Sequence, residues 1–219
     1  LHAMYKALDV FSRHTRSRRM AEFLQFMDLQ GGERIVDLGG AERFWDECPV
    51  HLNLTIVNLP GSGAFARGSG RHRVEIVEDD ACDMSGYADG AFDIAFSNSV
   101  IEHVGDAGKR AALAAECRRL APRYWVQTPS IWFPVEAHTG MLFWWFYPPA
   151  LRRWLKARWS RRLPGWTEMI EGTTVVSRTE MASLFPEAGI RTERFMGFPK
   201  SYIAACRETR DRTVSDGAA

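Results

Sequence analysis

Apolar positions recur in two rhythms along the chain. In SRRMAEFLQFMDL, residues 17–29, Met20, Phe23, Leu24 and Met27 fall at helical spacing, and Gly31-Gly32 ends the helix. RIVDL, residues 34–38, is a short apolar run of the kind a strand buried on both faces shows. LTIVNL (54–59), RVEIVEDD (73–80), FDIAFSNS (92–99) and RYWVQTPS (123–130) predict four further strands. AGKRAALAAECRRLA (107–121) predicts a helix with its cations toward the C-terminal end. SRTEMASLFPEAG (177–189) predicts another, opened by Ser177 or Thr179. IRTERFMGFPKSYIAACR (190–207) reads as two strands joined through Gly197 and Pro199. Strand and helix alternate early in the chain, which implies right-handed crossovers and a parallel sheet, with the final hairpin appended antiparallel.

One segment departs from this rhythm. Residues 132–166, WFPVEAHTGMLFWWFYPPALRRWLKARWSRRLPGW, concentrate tryptophans and arginines where a plain crossover helix would otherwise stand. Its longest apolar run, about 11 residues, is too short to span a bilayer. The expected organisation is one domain over 1–219, with an N-terminal extension (1–16), a lid insert (132–172) and a frayed tail (207–219). Within the insert, ALRRWLKARWSRR places Leu151, Trp154, Leu155 and Arg158 along one side and Arg152, Arg153 and Lys156 toward the other. Three roles stay open for it: a packed helical lid, a wall around an apolar or aromatic acceptor, and an element lying on a membrane surface.

Composition narrows the classes. With 28 basic and 27 acidic residues the formal charge is +1, so the overall field gives no reason to expect a nucleic-acid partner. Cys48, Cys82, Cys117 and Cys206 form no CxxC pair, no metal site is expected, and the thiols read as reduced and mostly buried. LHAMYKALDVFSRHTRSRR lacks the apolar core of a signal peptide, and a cytoplasmic location is expected.

In an open parallel sheet, ligands bind beyond the C-terminal strand ends. Four ends carry polar groups here: Asp37-Leu38-Gly39-Gly40, Asn58-Leu59, Asp79-Asp80-Ala81 and Ser97-Asn98-Ser99. Glycines allow close backbone approach, an acceptor after the second strand suits a ribose diol, and a carboxylate after the third suits an exocyclic amine. No phosphate-binding loop is present, and Glu42 stands where a pyrophosphate would meet amides alone. A cationic cofactor with sugar and base but no phosphate fits these residues.

Through VDLGG, VEDDACDM, GAFDIAFSNSVIEHVGD and KSYIAACR, the chain over roughly residues 17 to 206 resembles the class I S-adenosylmethionine-dependent methyltransferases. DLGG…FW, TPSIWFPVEAH and FPKSYIAA look like a bacterial small-molecule branch, whose loop after the second glycine is not glycine-rich. The resemblance implies a Rossmann-like sheet of seven strands, mostly parallel with one antiparallel, helices on both faces and an aromatic lid after the fifth strand. It also implies S-adenosylmethionine as cofactor, held by Asp37, Gly39, Gly40, Asn58, Leu59, Asp80, Ala81, Ser97 and Asn98. Asn58 departs from the family, which usually has an acid there.

Methyl transfer needs alignment and, for a hydroxyl acceptor, a base. His138, with Glu136 two residues before it, and His103, expected about a turn and a half into the helix after the fourth strand, are the candidates. For His103 the alternative is that Glu102 and His103 merely fix the loop–helix junction. Trp132, Phe133, His138, Trp144 and Trp145 are the candidate acceptor-binding residues. The expected activity is O-methylation of a small aromatic, apolar or lipid-like acceptor, with N- or C-methylation of a natural-product intermediate and a non-catalytic binding protein as alternatives. Peripheral membrane contact through the insert is a further expectation.

Overall fold

The computed structural model describes residues 17–62, 68–136 and 138–207. The expected extension over 1–16, and all but Arg207 of the expected tail, lie outside them. A helix over 17–27 (α1) is followed by β1 (Arg34–Leu38), a 3-10 turn (Glu42–Glu47), β2 (Asn53–Asn58), β3 (Arg73–Glu78) and β4 (Ile94–Asn98). Then come α2 (Ala107–Leu120), β5 (Arg123–Pro129), a second 3-10 turn (Trp144–Phe146), α3 (Pro149–Ser160) and α4 (Pro164–Gly172). The chain continues through α5 (Arg178–Leu184), β6 (Gly189–Phe195) and β7 (Phe198–Cys206).

The seven strands form one sheet in the order β3-β2-β1-β4-β5-β7-β6. All pairings from β3 through β5 are parallel, and β7 runs antiparallel to both its neighbours, as expected. The period-two alternation of each strand divides the core between the two faces. Ile35, Phe96, Trp125 and Ile203 pack with Met20, Phe23 and Met27 of α1 and with Trp45. Val36, Ala95, Val126 and Ala204 pack with Leu113 and Cys117 of α2, Met181 of α5 and Phe185 directly after it. Helices therefore cover both faces.

Side-chain caps set the helix starts. Asp106 accepts from the Lys109 amide to open α2, and Ser177 accepts from the Glu180 amide to open α5. His103 is thus not inside the helix after β4: it lies in the turn ahead of α2, three residues before the Asp106 cap. The final hairpin also differs from expectation. Met196 and Gly197, at φ 49° and 85°, form the two-residue turn between Phe195 and Phe198. Pro199 lies inside β7, opposite the register shift at Glu193/Arg194, where a missing N–H is tolerated.

In the insert, no residue of α3 is buried. Its inner side carries Arg152, Leu155, Lys156 and Trp159, while Leu151, Trp154 and Arg158 face outward. The expected grouping of Leu155 with Leu151 and Trp154 is therefore overturned. Leu155 sits one helical turn from Trp159, and that pair, not the outward tryptophan, turns toward the rest of the insert. Among the described residues, no helix is long and apolar enough to cross a membrane.

Candidate functional site

The first loop is built around Asp37. Its carboxylate is buried, with Oδ2 accepting from Trp45 Nε1 at 2.8 Å and Oδ1 without a partner. Burial pushes this acid up to about 7, against the Trp45 hydrogen bond. Gly40 must lack a side chain, since a Cβ there would stand 1.8 Å from Asp37 Oδ2. Gly39, at φ +79°, turns the chain, and a Cβ on it would meet Val100 at 2.6 Å. Glycine at both positions is therefore dictated by the space around the loop.

The other strand-end residues divide into two groups. Asn58 Nδ2 donates to the Gly40 carbonyl, fastening the β2 end to the first loop, and Leu59 beside it is exposed. Asp80 accepts from Lys109 Nζ and from the Cys82 amide, and those bonds hold its carboxyl below the usual range. Ala81 is half-buried against the α2-side core. Ser97, by contrast, is turned inward and donates to the Leu38 carbonyl, tying β4 to β1. Asn98 Oδ1 accepts from Arg19, a buried guanidinium of α1 that also reaches Glu193. The Arg19 contact was not foreseen in the sequence.

Beyond β4, Ser99 takes φ 60°, an uncommon conformation for a non-glycine residue, and its hydroxyl bonds Gln127. This bend carries the chain past Gly39 through Val100 and on to Glu102 and His103. Glu102 is buried, with Oε2 accepting from Thr128 at 3.0 Å and Oε1 unpartnered. Burial raises it to about 7. The segment just beyond the insert closes over this turn, because Thr174 donates both its amide and its hydroxyl to the Glu102 carbonyl.

His138 arrives from the other side. An antiparallel loop, fixed by Phe143 N–H to Pro134 O and Glu136 N–H to Met141 O, presents Glu136 inward. One Glu136 oxygen accepts the amides of His138 and Thr139, and the other accepts His138 Nδ1 at 2.8 Å. Burial disfavours both charges, but this pairing outweighs it, lowering Glu136 and raising His138. His103 Nε2 and His138 Nε2 stand 2.9 Å apart. Burial, together with the neighbouring His138, depresses His103 to about 4. His103, His138 and Glu136 are thus one connected unit.

Of the candidate acceptor residues, Trp144 is buried in the insert and stacks on Trp159 at 5.4 Å. Trp145 lies under Arg152 and, with Trp144, Arg152, Lys156, Glu171 and Thr173, lines a groove between α3 and α4. Thr173 joins this groove to His103, their side chains meeting at 3.3 Å. Trp132 is exposed against Phe146, and Phe133 packs on Phe195, so these two lie outside the groove lining.

A family profile described as a methyltransferase domain matches residues 47–123, from the end of the first 3-10 turn to the start of β5. No curated protein matches the sequence. An O-methyltransferase family protein from Burkholderia thailandensis aligns at 16% identity and TM-score 0.48, covering 91% of this chain and 60% of that one. A candidate methyltransferase from an antibiotic biosynthesis pathway of Anabaena variabilis aligns at 13% identity and TM-score 0.51, covering 81% and 64%. The chain thus spans less than two thirds of the length of either. A candidate S-adenosylmethionine-dependent methyltransferase from Methanococcus maripaludis aligns at 11% identity and TM-score 0.50, over 94% of this chain and 93% of that one. At these identities the structural likeness speaks for the fold. Residues 47–123 thus match a methyltransferase domain, and the chain as a whole has the fold of the methyltransferase structures it resembles.

Proposed function

We propose that this chain transfers a methyl group from S-adenosylmethionine to a hydroxyl of a small aromatic, apolar or lipid-like acceptor. The cofactor reading is supported by the first loop. The Asp37 carboxyl occupies the place of a side chain at residue 40 and so holds the loop in its tight turn, and the unpartnered Asp37 Oδ1 is an acceptor free for a donor of the cofactor. Asn58, whose amide nitrogen is engaged with Gly40, keeps its carbonyl oxygen for a ribose diol, and Leu59 offers an apolar face beside it. Asp80 is held as an anion for an exocyclic amine. The cofactor supplies a methyl carbon made electrophilic by its sulfonium.

The observation that carries the choice of oxygen is the His103–His138–Glu136 unit beyond the β4 and β5 ends. An imidazole oriented by a carboxylate takes a hydroxyl proton at neutral pH. A ring nitrogen of the pair would take the proton, Glu136 would balance the charge on His138, and the acceptor oxygen would use its freed lone pair to form the new C–O bond as the methyl–sulfur bond breaks and leaves its electrons on sulfur. The groove walled by Trp144 and Trp145 would hold the acceptor and exclude water.

Calorimetric titration with S-adenosylmethionine, followed by mass spectrometry of a panel of hydroxylated, amino and carbon acceptors, tests the reading. Binding with a methyl gain only on hydroxylated acceptors is expected. Binding without transfer to any acceptor would favour a non-catalytic role.

A further inference from the structure

The hydrogen bonds around His103 and His138 fix where each ring carries its proton. Glu136 is ionised and accepts from His138 Nδ1 at 2.8 Å, so that nitrogen bears the hydrogen. Thr173 gives its hydroxyl hydrogen to the Met169 carbonyl at 2.9 Å. Toward His103 Nδ1, 3.3 Å away, the Thr173 oxygen is left only as an acceptor, so His103 also carries its hydrogen on Nδ1. When both rings are neutral, the two Nε2 atoms present lone pairs to each other across 2.9 Å, unless a proton on His138 Nε2 fills the gap. Two lone pairs at that distance repel, and a positive centre has to join them.

A third donor is at hand. Glu102 is 2% exposed and its Oε1 has no hydrogen-bond partner, although a buried carboxylate oxygen left alone is costly. One ligand atom from each of Glu102, His103 and His138 lies within 4.8 Å of the others. Two imidazole nitrogens at about 2.1 Å from a common ion, in adjacent octahedral or tetrahedral positions, stand roughly 3.0–3.4 Å apart. The observed 2.9 Å is close to that spacing.

We infer that Glu102, His103 and His138 form a binding site for a divalent transition-metal ion of the zinc or manganese kind, with Glu136 and Thr173 as the outer partners that aim the two rings. Two imidazoles and one carboxylate suit such ions, whereas magnesium and calcium favour sites made of oxygen alone. Three protein ligands leave positions open, and the site adjoins the groove through Thr173. Any use of the ion in catalysis rests on the proposed O-methylation. With both Nε2 atoms engaged as ligands, an acceptor hydroxyl bound to the ion would be acidified by the metal instead of by a free imidazole. Binding of the ion itself does not depend on that reading.

The test uses the chelator-treated full chain without cofactor or acceptor. Cobalt(II) is added as a visible probe and zinc is followed by calorimetry. One equivalent is expected, with cobalt bands of an imidazole–carboxylate site that are displaced by zinc. The double variant His103→Ala/His138→Ala should lose the bands. Glu136→Gln, which keeps all three ligands, should weaken affinity about 10–100-fold, and circular dichroism checks that each variant is folded. If the double variant does not fold, the affinity loss in Glu136→Gln carries the same decision. No cobalt bands with folded wild type would leave a shared proton between the rings as the occupant and overturn the site, as would equal binding by the folded double variant. A failed S-adenosylmethionine titration, with the cobalt result intact, would instead overturn the methyl-transfer reading.

Discussion

Trp45 gives its indole N–H to Asp37 Oδ2 across 2.8 Å, and this is the one hydrogen bond that the buried Asp37 carboxylate receives among the described residues. Phe23 and Phe96 hold the indole edge-on at 5.8 and 4.9 Å, so core packing fixes the donor that steadies the first loop. Trp45→Phe keeps most of that packing and removes the donor. A loss of about 1–3 kcal/mol in urea denaturation is expected, with a weakened S-adenosylmethionine titration. Unchanged stability would show that the loop holds Asp37 without the indole.

The same burial makes stability depend on pH. Asp37 has its folded pKa raised from 3.8 to about 7, so the native chain holds this proton more tightly than the unfolded one. The stability that the shift contributes is present below pH 3.8. It declines as pH rises through the interval and is gone above about 7. The span corresponds to about 4 kcal/mol at most. Asp37→Asn cannot titrate, and the difference between the two denaturation curves against pH should carry this slope. Parallel curves would place the titration elsewhere.

The strands were legible because each is a continuous apolar run or a clean alternation, and the tight turn at Gly39 and Gly40 because a glycine pair directly after a strand marks a place where a side chain does not fit. Other features depend on pairs far apart in sequence. Arg19 meets Asn98 across 79 positions and His103 meets His138 across 35, and no local pattern marks either pairing. A metal site judged from cysteine spacing passes over a cluster of this kind. The turn at 99–104 looked like the start of a helix because Ser99-Val100-Ile101 continues the apolar strand without a break, whereas the capping carboxylate comes only at Asp106. The faces of α3 were misjudged for a related reason: which of its apolar residues turn inward is set by Trp144 and Trp145, not by the helix itself.

Asp80 and Lys109 pair at 2.9 Å on a half-exposed surface, where the ion pair itself adds little stability. Asp80→Ala should therefore leave the melting temperature almost unchanged and weaken S-adenosylmethionine binding by roughly 1–3 kcal/mol, through loss of an acceptor for the adenine amine. Lys109→Ala leaves the acceptor in place and should cost less affinity. Calorimetry on both variants separates the two roles, and equal losses would mean that the pair acts as a unit.

His138→Ala should lower turnover by about 10²–10⁴-fold with cofactor affinity nearly unchanged. Glu136→Gln should give a smaller loss in kcat, since the amide still receives a hydrogen bond from Nδ1 but no longer balances a charge on the ring. Single-turnover measurements at saturating cofactor report these effects on the chemical step. Full turnover in His138→Ala would make the residue a structural brace between the 134–143 loop and α4, where Trp166 already bonds its carbonyl.

Two tryptophans of the insert separate its possible roles. Trp144 is 3% exposed and stacks on Trp159, whereas Trp154 is 58% exposed with Arg158 beside it. Trp144→Ala removes a buried ring, for which a cost of about 3–5 kcal/mol is usual. Because Trp144 lies outside both clusters that flank the sheet, the loss should fall on the insert. Hydrogen exchange should show lost protection over residues 144–172 with β1, β4 and β5 unaffected, together with a raised KM for the acceptor. Trp154→Ala should stay within about 0.5 kcal/mol of wild type and leave KM unchanged if the inner groove holds the acceptor. A raised KM in Trp154→Ala with Trp144→Ala silent would reverse the assignment. Loss of vesicle binding in Trp154→Ala, with KM unchanged, would make the outward face of α3 a membrane contact and leave the groove its role as the acceptor site.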